Sequence, residues 1–128
     1  RIIMNKININ TPFKISDVEI IPIRVLHGKL PIAGYRIGNM AYLTDVSLIP
    51  EEEYAKLQNL DILIMSSLRW EKHPSHQSVD EAIEKAQRIN AKQTYFIHFS
   101  HNIGLHHETE TKLPANIHLS YDNLTLTM

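Results

Sequence analysis

The chain has 128 residues, of which 43% are hydrophobic and 21% charged, and its formal charge is −1. That balance describes one ordinary globular domain and argues against a mainly disordered chain or a basic nucleic-acid-binding surface. Cysteine is absent, which excludes disulfides and thiolate metal sites and fits the cytoplasm; no apolar run approaches the ~20 residues of a membrane span.

Residues 1–15 alternate loosely and contain Pro12, which predicts an irregular extended segment with one edge strand near 5–10. Residues 18–26, VEIIPIRVL, are β-branched and apolar and predict a strand. Pro22 inside it implies an edge position or a bulge, because proline has no amide to donate. That strand runs into His27-Gly28. Residues 32–37 and 40–44 predict two further strands around a Gly38-Asn39 hairpin turn, the second ending on Asp45. The three read as an antiparallel meander.

Pro50 followed by Glu51, Glu52 and Glu53 has the signs of a short helix start, with Tyr54, Leu57 and Leu60 as its apolar side. Residues 60–66, LDILIMS, predict a buried strand. The loop after it carries Arg69, His73 and His76. Ser78-Val79-Asp80-Glu81 is a capping box, and Val79, Ala82, Ile83, Ala86 and Ile89 follow at helical spacing. Residues 93–99 form a near-continuous apolar run, the mark of a strand buried on both faces. Strand 60–66, helix 78–89 and strand 93–99 thus make a βαβ unit with parallel strands. A short helix over 105–112 and terminal strands at 117–120 and 124–126 complete an α/β chain.

The eight histidines are the compositional oddity. Imidazole is the commonest metal ligand and titrates near neutral pH. His27, Asp45, His73, His76 and His98 all fall at or just after predicted strand ends, where open α/β sheets place ligands. Imidazole with carboxylate suits Zn²⁺, Mn²⁺ or Fe. Each position also has a plainer reading. His27 could bond to backbone, Asp45 could be a turn residue, and His98 could be a satisfied core histidine. His106, His107 and His118 read as scattered surface histidines. Ser100 and His101 lack the glycine-flanked elbow of a serine nucleophile.

Three stretches resemble the C-terminal half of metallo-β-lactamase-fold hydrolases, in the branch of the phosphonate-operon cyclic-phosphate phosphodiesterases. They are IIPIRVLHGKLPIAGYRIGNMAYLTDVSLIP (20–50), DILIMSSLRWEKHPSHQSVDEAI (61–83) and FIHFSHNIGLHHETETKLPANIHLSYDNLTL (96–126). The resemblance implies half of an αββα sandwich: one mixed sheet and its covering helices. It implies two divalent metals, Zn or Mn, in the full-length protein. His27 would complete the histidine set of the first metal, Asp45 would bridge both, and His98 would bind the second. His76 would sit by the scissile phosphate as proton donor or oxyanion holder, with Arg69, His73 and His101 on the substrate.

The family's His-x-His-x-Asp-His run does not occur in this sequence. The resemblance therefore implies that residues 1–128 are the C-terminal half of such a domain, with partial or no metal occupancy and no turnover alone. The full-length parent would be a metal-dependent hydrolase of a small phosphodiester or related ester. A lone half leaves an apolar sheet face uncovered, which implies a homo-oligomer. Two other readings stand beside this: thioester or lactone hydrolysis on the same fold, and a non-catalytic scaffold that has lost its metal centre.

Overall fold

The computed structural model describes residues 1–128. Seven strands form one sheet in chain order: β1 (Phe13–Ile15), β2 (Val18–His27), β3 (Leu30–Ile37), β4 (Met40–Leu43), β5 (Ile62–Ser66), β6 (Gln93–Ile97) and β7 (Ile117–Leu119). The pairs from β1 to β4 are antiparallel, and those from β4 to β7 are parallel. The predicted meander and βαβ unit are both present, and the architecture is the mixed α/β sheet that the resemblance implied.

Local chemistry explains the turns. Gly28 and Gly38 sit in the hairpin turns with φ of +61° and +56°, a region that glycine enters without steric cost. Pro22 lies within β2, yet β1 covers only Val18–Ile20 of that strand. Pro22 shares its parity with Arg24 and Leu26, whose amides point away from β3 to Glu53 Oε2 and the Leu48 carbonyl. The donor that proline lacks would therefore face the locally free edge.

Helix α1 (Val79–Ile89) is framed by the capping box: Ser78 Oγ accepts from the Glu81 amide, and Glu81 Oε2 accepts from the Ser78 amide. Asn90 ends it in the left-handed conformation, donating its amide to Ala86. Val79, Ala82, Ala86 and Ile89 bury one face of α1 against the sheet face that carries Leu63, Met65 and Phe96. A second helix, α2 (His106–Glu110), leads into β7.

Several sequence expectations are corrected. The edge strand expected near 5–10 is absent, and β1 begins at Phe13. The short helix expected after Pro50 is present over Glu51–Leu57, in 3₁₀ form. Its Glu53 turns inward, where it accepts from the Arg24 amide (2.9 Å) and Lys56 Nζ (2.7 Å). Residues 124–126 form no strand, because β7 is the last strand of the sheet. Most relevant to function, β6 stops at Ile97, and His98 lies beyond the ladder at φ 62°.

The opposite face of β1 to β4 is open. The register aligns Ile20 with Ile37, Tyr35 with Tyr42, and Ile37 with Met40. With Phe13 and Ile15 they line an entirely apolar groove of about 420 Å³. Ile15 is 62% exposed and Tyr42 40%. No helix of the chain is long and apolar enough to cross a membrane.

Candidate metal centre

Strand direction gathers the candidate residues. β4, β5 and β6 are parallel, so their carboxyl ends share one edge of the sheet. β2 is antiparallel to β3 and β3 to β4, so the carboxyl end of β2 lies at that same edge. His27 (end of β2), Asp45 (after β4), the loop after β5 and His98 (after β6) meet there.

His76 is the centre of the group. Its ring centroid lies 4.6 Å from that of His27, 5.1 Å from His73 and 5.1 Å from His98. His98 Nε2 is 3.2 Å from Asp45 Oδ1, close enough for ion pairing but without the alignment of a hydrogen bond. One potential ligand atom from each of Asp45, His76 and His98 falls within 4.8 Å of the others. His73 is oriented by Ser75, whose amide donates to His73 Nδ1 (3.2 Å).

The group is polar, crowded and short of partners. Of the eight buried side-chain polar atoms that lack a hydrogen bond, seven belong to this edge: His27 Nδ1, Asp45 Oδ1, Ser67 Oγ, Arg69 Nε, His76 Nδ1, Gln77 Oε1 and Ser100 Oγ. Folded proteins satisfy nearly all such atoms, so the orphaned atoms of His27, Asp45 and His76 mark a place built to meet something else. Three of the atoms are imidazole nitrogens or a carboxylate oxygen, a donor set suited to a borderline divalent metal. Zn²⁺ or Mn²⁺ therefore fits the residues present.

Two backbones in the group are in the left-handed region, Asp45 at φ 54° and His98 at φ 62°. Non-glycine residues are uncommon there, and such conformations cluster at functional sites. His76 has its pKa lowered, first by desolvation and then by repulsion from His27 and His98, with Asp45 opposing. The free site thus favours a neutral His76 with a lone pair to offer.

Other sequence candidates fall differently. Arg69 stands on the loop after β5, with its Nη2 donating to the Lys72 carbonyl (3.4 Å) and its Nε buried. His101 is exposed in a 3₁₀ turn and makes no ring, hydrogen-bond or ion-pair contact with the group. His118 is no loose surface histidine. Its ring bridges Gln93 Oε1 (2.8 Å) and Glu110 Oε2 (3.4 Å), joining β6, β7 and α2. Sequence reasoning missed Ser47, Ser66 and Gln77. Ser47 Oγ accepts from the Gly28 amide and donates to the Leu26 carbonyl, both at 2.9 Å, fixing the backbone on either side of His27. No local pattern marks such residues, since each acts across strands.

Residues 2–99 match the beta-lactamase superfamily domain. The chain belongs to that family. A crystal structure of a diphosphatase from the PhnP family superposes with a TM-score of 0.89 at 42% identity, covering 91% of this chain and 46% of that one. Zn²⁺-bound PqqB from Methylobacterium extorquens shares the fold at a TM-score of 0.72 and 12% identity, covering 95% of this chain and 55% of that one. An octanoyltransferase from Porphyromonas gingivalis is 43% identical over 114 residues, which are 88% of this chain and 23% of that protein. This beta-lactamase superfamily chain thus spans about half the length of its structural relatives and about a quarter of the curated one. Its fold is that of metallo-β-lactamase hydrolases.

Proposed function

We propose that this chain supplies part of a dinuclear metal centre that hydrolyses a small phosphodiester or a related phosphate ester. His27, Asp45 and His98 hold metal, and the remaining ligands come from a segment outside residues 1–128. The observation that carries the reading is the convergence of Asp45, His76 and His98 within 4.8 Å, amid seven unpartnered polar atoms. The similarity to a PhnP-family diphosphatase supports the phosphate chemistry.

Bound divalent metals supply a Lewis acid that activates water and stabilises charge on phosphate. The chain's own residues bind and move protons. His76 stands beside the site as proton donor to the leaving oxygen. Burial and the neighbouring histidines lower its proton affinity, which weakens its hold on the proton it donates. His73, held by Ser75, and Arg69 face the substrate.

A second reading is hydrolysis of an acyl ester or thioester at the same residues. The observation favouring it is the similarity to an octanoyltransferase. A formal charge of −1 favours small-molecule over nucleic-acid substrates in either case. A scaffold that has lost its metal centre has no use for Asp45, His76 and His98 together.

The test titrates the purified chain with Zn²⁺ and Mn²⁺ and assays it against bis(p-nitrophenyl) phosphate. Metal binding that His98→Ala and Asp45→Ala weaken is expected, with no turnover. Absence of metal binding overturns the metal reading. Turnover by the 128-residue chain overturns the assignment of a partial site.

A further inference from the structure

Three segments that deliver the candidate ligands are tied together beneath the site. The Val46 amide donates to Ser66 Oγ (3.1 Å), the Gln77 amide donates to the Val46 carbonyl (3.3 Å), and Gln77 Nε2 donates to the Ser66 carbonyl. These three bonds close a ring joining the residue after Asp45, the residue after His76 and the last residue of β5. The ring is dry: Gln77 is 1% exposed, Ser66 2% and Val46 fully buried. It continues towards His98. The Leu68 amide donates to the Gln77 carbonyl, the Ser67 amide to Ile97, and the Ser100 amide to Leu68.

Most backbone–backbone hydrogen bonds in this chain lie within its strands and helices. Two of the three ring bonds are made instead by side chains, Ser66 Oγ and Gln77 Nε2, and neither residue belongs to a helix or reaches solvent. The cost is visible. Gln77 Oε1 stays unpartnered although the side chain is buried, and Asp45 is held in the left-handed region at φ 54°. A side chain chosen only to fill this space would be apolar, since a buried unpaired amide oxygen is destabilising.

We propose that Gln77, acting with Ser66, is a positioning residue that sets the separation and angle between the metal-holding Asp45 and the neighbouring His76. The inference rests on the reading of Asp45, His76 and His98 as a metal-facing group. Gln77 touches no metal or substrate. It acts through the backbone that immediately follows Asp45 and His76, in the way that hydrogen-bonded supports orient metal ligands elsewhere. Loss of the ring lets Asp45 relax out of its left-handed conformation and moves its carboxylate relative to His76.

The test uses Co²⁺ as probe, because its visible absorption reports ligand geometry as well as occupancy. Gln77→Met and Ser66→Ala are compared with the wild-type chain and with Ile89→Val, a core variant far from the ring. Each protein is titrated with Co²⁺, and its melting temperature is measured separately in chelator. Supports of this kind typically change metal affinity by about 10- to 100-fold. Both ring variants should lose at least tenfold in Co²⁺ affinity and shift the absorption band, while Ile89→Val alters only the melting temperature. Wild-type affinity and spectrum in a folded Ser66→Ala, whatever its melting temperature, overturn the proposal. Ser66→Ala decides if Gln77→Met fails to fold. A wild-type chain that binds no Co²⁺ overturns the metal reading and this inference with it; equal binding by all four overturns this inference alone.

Discussion

His98 offers a direct measure of how much backbone strain the site carries. Its φ is 62°, a conformation that costs an ordinary L-residue about 1–2 kcal/mol. Asparagine enters that region far more readily, because its short side chain bonds to local backbone. The His98 side chain is 46% exposed and meets Asp45 Oδ1 at 3.2 Å, so little packing is lost when it is replaced. His98→Asn and His98→Ala both remove the imidazole and its contacts; they differ mainly in what the backbone tolerates. In chelator, His98→Asn should therefore be more stable than His98→Ala by about 1 kcal/mol. For a chain of this size that is roughly 3–5 °C in melting temperature. Thermal melts followed by far-UV circular dichroism measure it, and metal titration should show both variants impaired alike. An alanine variant as stable as the asparagine variant would mean that residue 98 is not held left-handed, and the argument linking strain to the site would fail.

Other perturbations probe the frame around the site. A Cβ at Gly34 would lie 2.5 Å from Leu43 Cδ2 and 3.0 Å from the Tyr42 carbonyl, so Gly34→Ala should overpack β4 and cost about 1–3 kcal/mol. That exceeds the roughly 0.4–1 kcal/mol gained by restricting the unfolded chain, and a melting temperature at or above wild type would contradict it. Ser78→Ala removes the helix cap and should cost about 1 kcal/mol in urea denaturation. The Ser78 amide holds Glu81 below its usual carboxylate range of 4.5. The unfolded state therefore binds the proton more readily, and the stability from Glu81 is present above about pH 4.5 and lost as pH falls through the lowered value. Glu81→Gln should flatten that part of the stability–pH curve, and an unaltered curve would refute the assignment. The open groove lined by Phe13, Ile15, Tyr35 and Tyr42 should be covered by a second copy of the chain. Sedimentation velocity at micromolar concentration should show a dimer that Tyr42→Glu dissociates; a wild-type monomer would argue against it.

Much of the scaffold was legible along the chain. The βαβ unit follows from apolar strands flanking a helix with a complete capping box, and the Gly38-Asn39 turn follows from glycine's tolerance of positive φ. The candidate residues were also legible, because imidazole and carboxylate stood at successive predicted strand ends. Errors came where local pattern competes with sheet geometry. Leu124–Leu126 look apolar enough for a strand but are not paired in the sheet. The 93–99 run looks like one continuous strand, yet it stops at Ile97, where the chain enters the left-handed turn at His98. His118 looks like a surface residue until Gln93 and Glu110 are placed beside it.

The opening composition and the strand and helix periods determined an α/β chain with histidines at the edge of its sheet. They also determined the family likeness, through motifs spread over three stretches. Only the tertiary structure decided that Asp45, His76 and His98 share one small volume and that His101 stands apart. It alone revealed the ring of Val46, Ser66 and Gln77 beneath them. The physical reason is that secondary structure is written in neighbours a few residues apart. A site made by strand ends depends on direction, register and crossovers, which bring distant residues together.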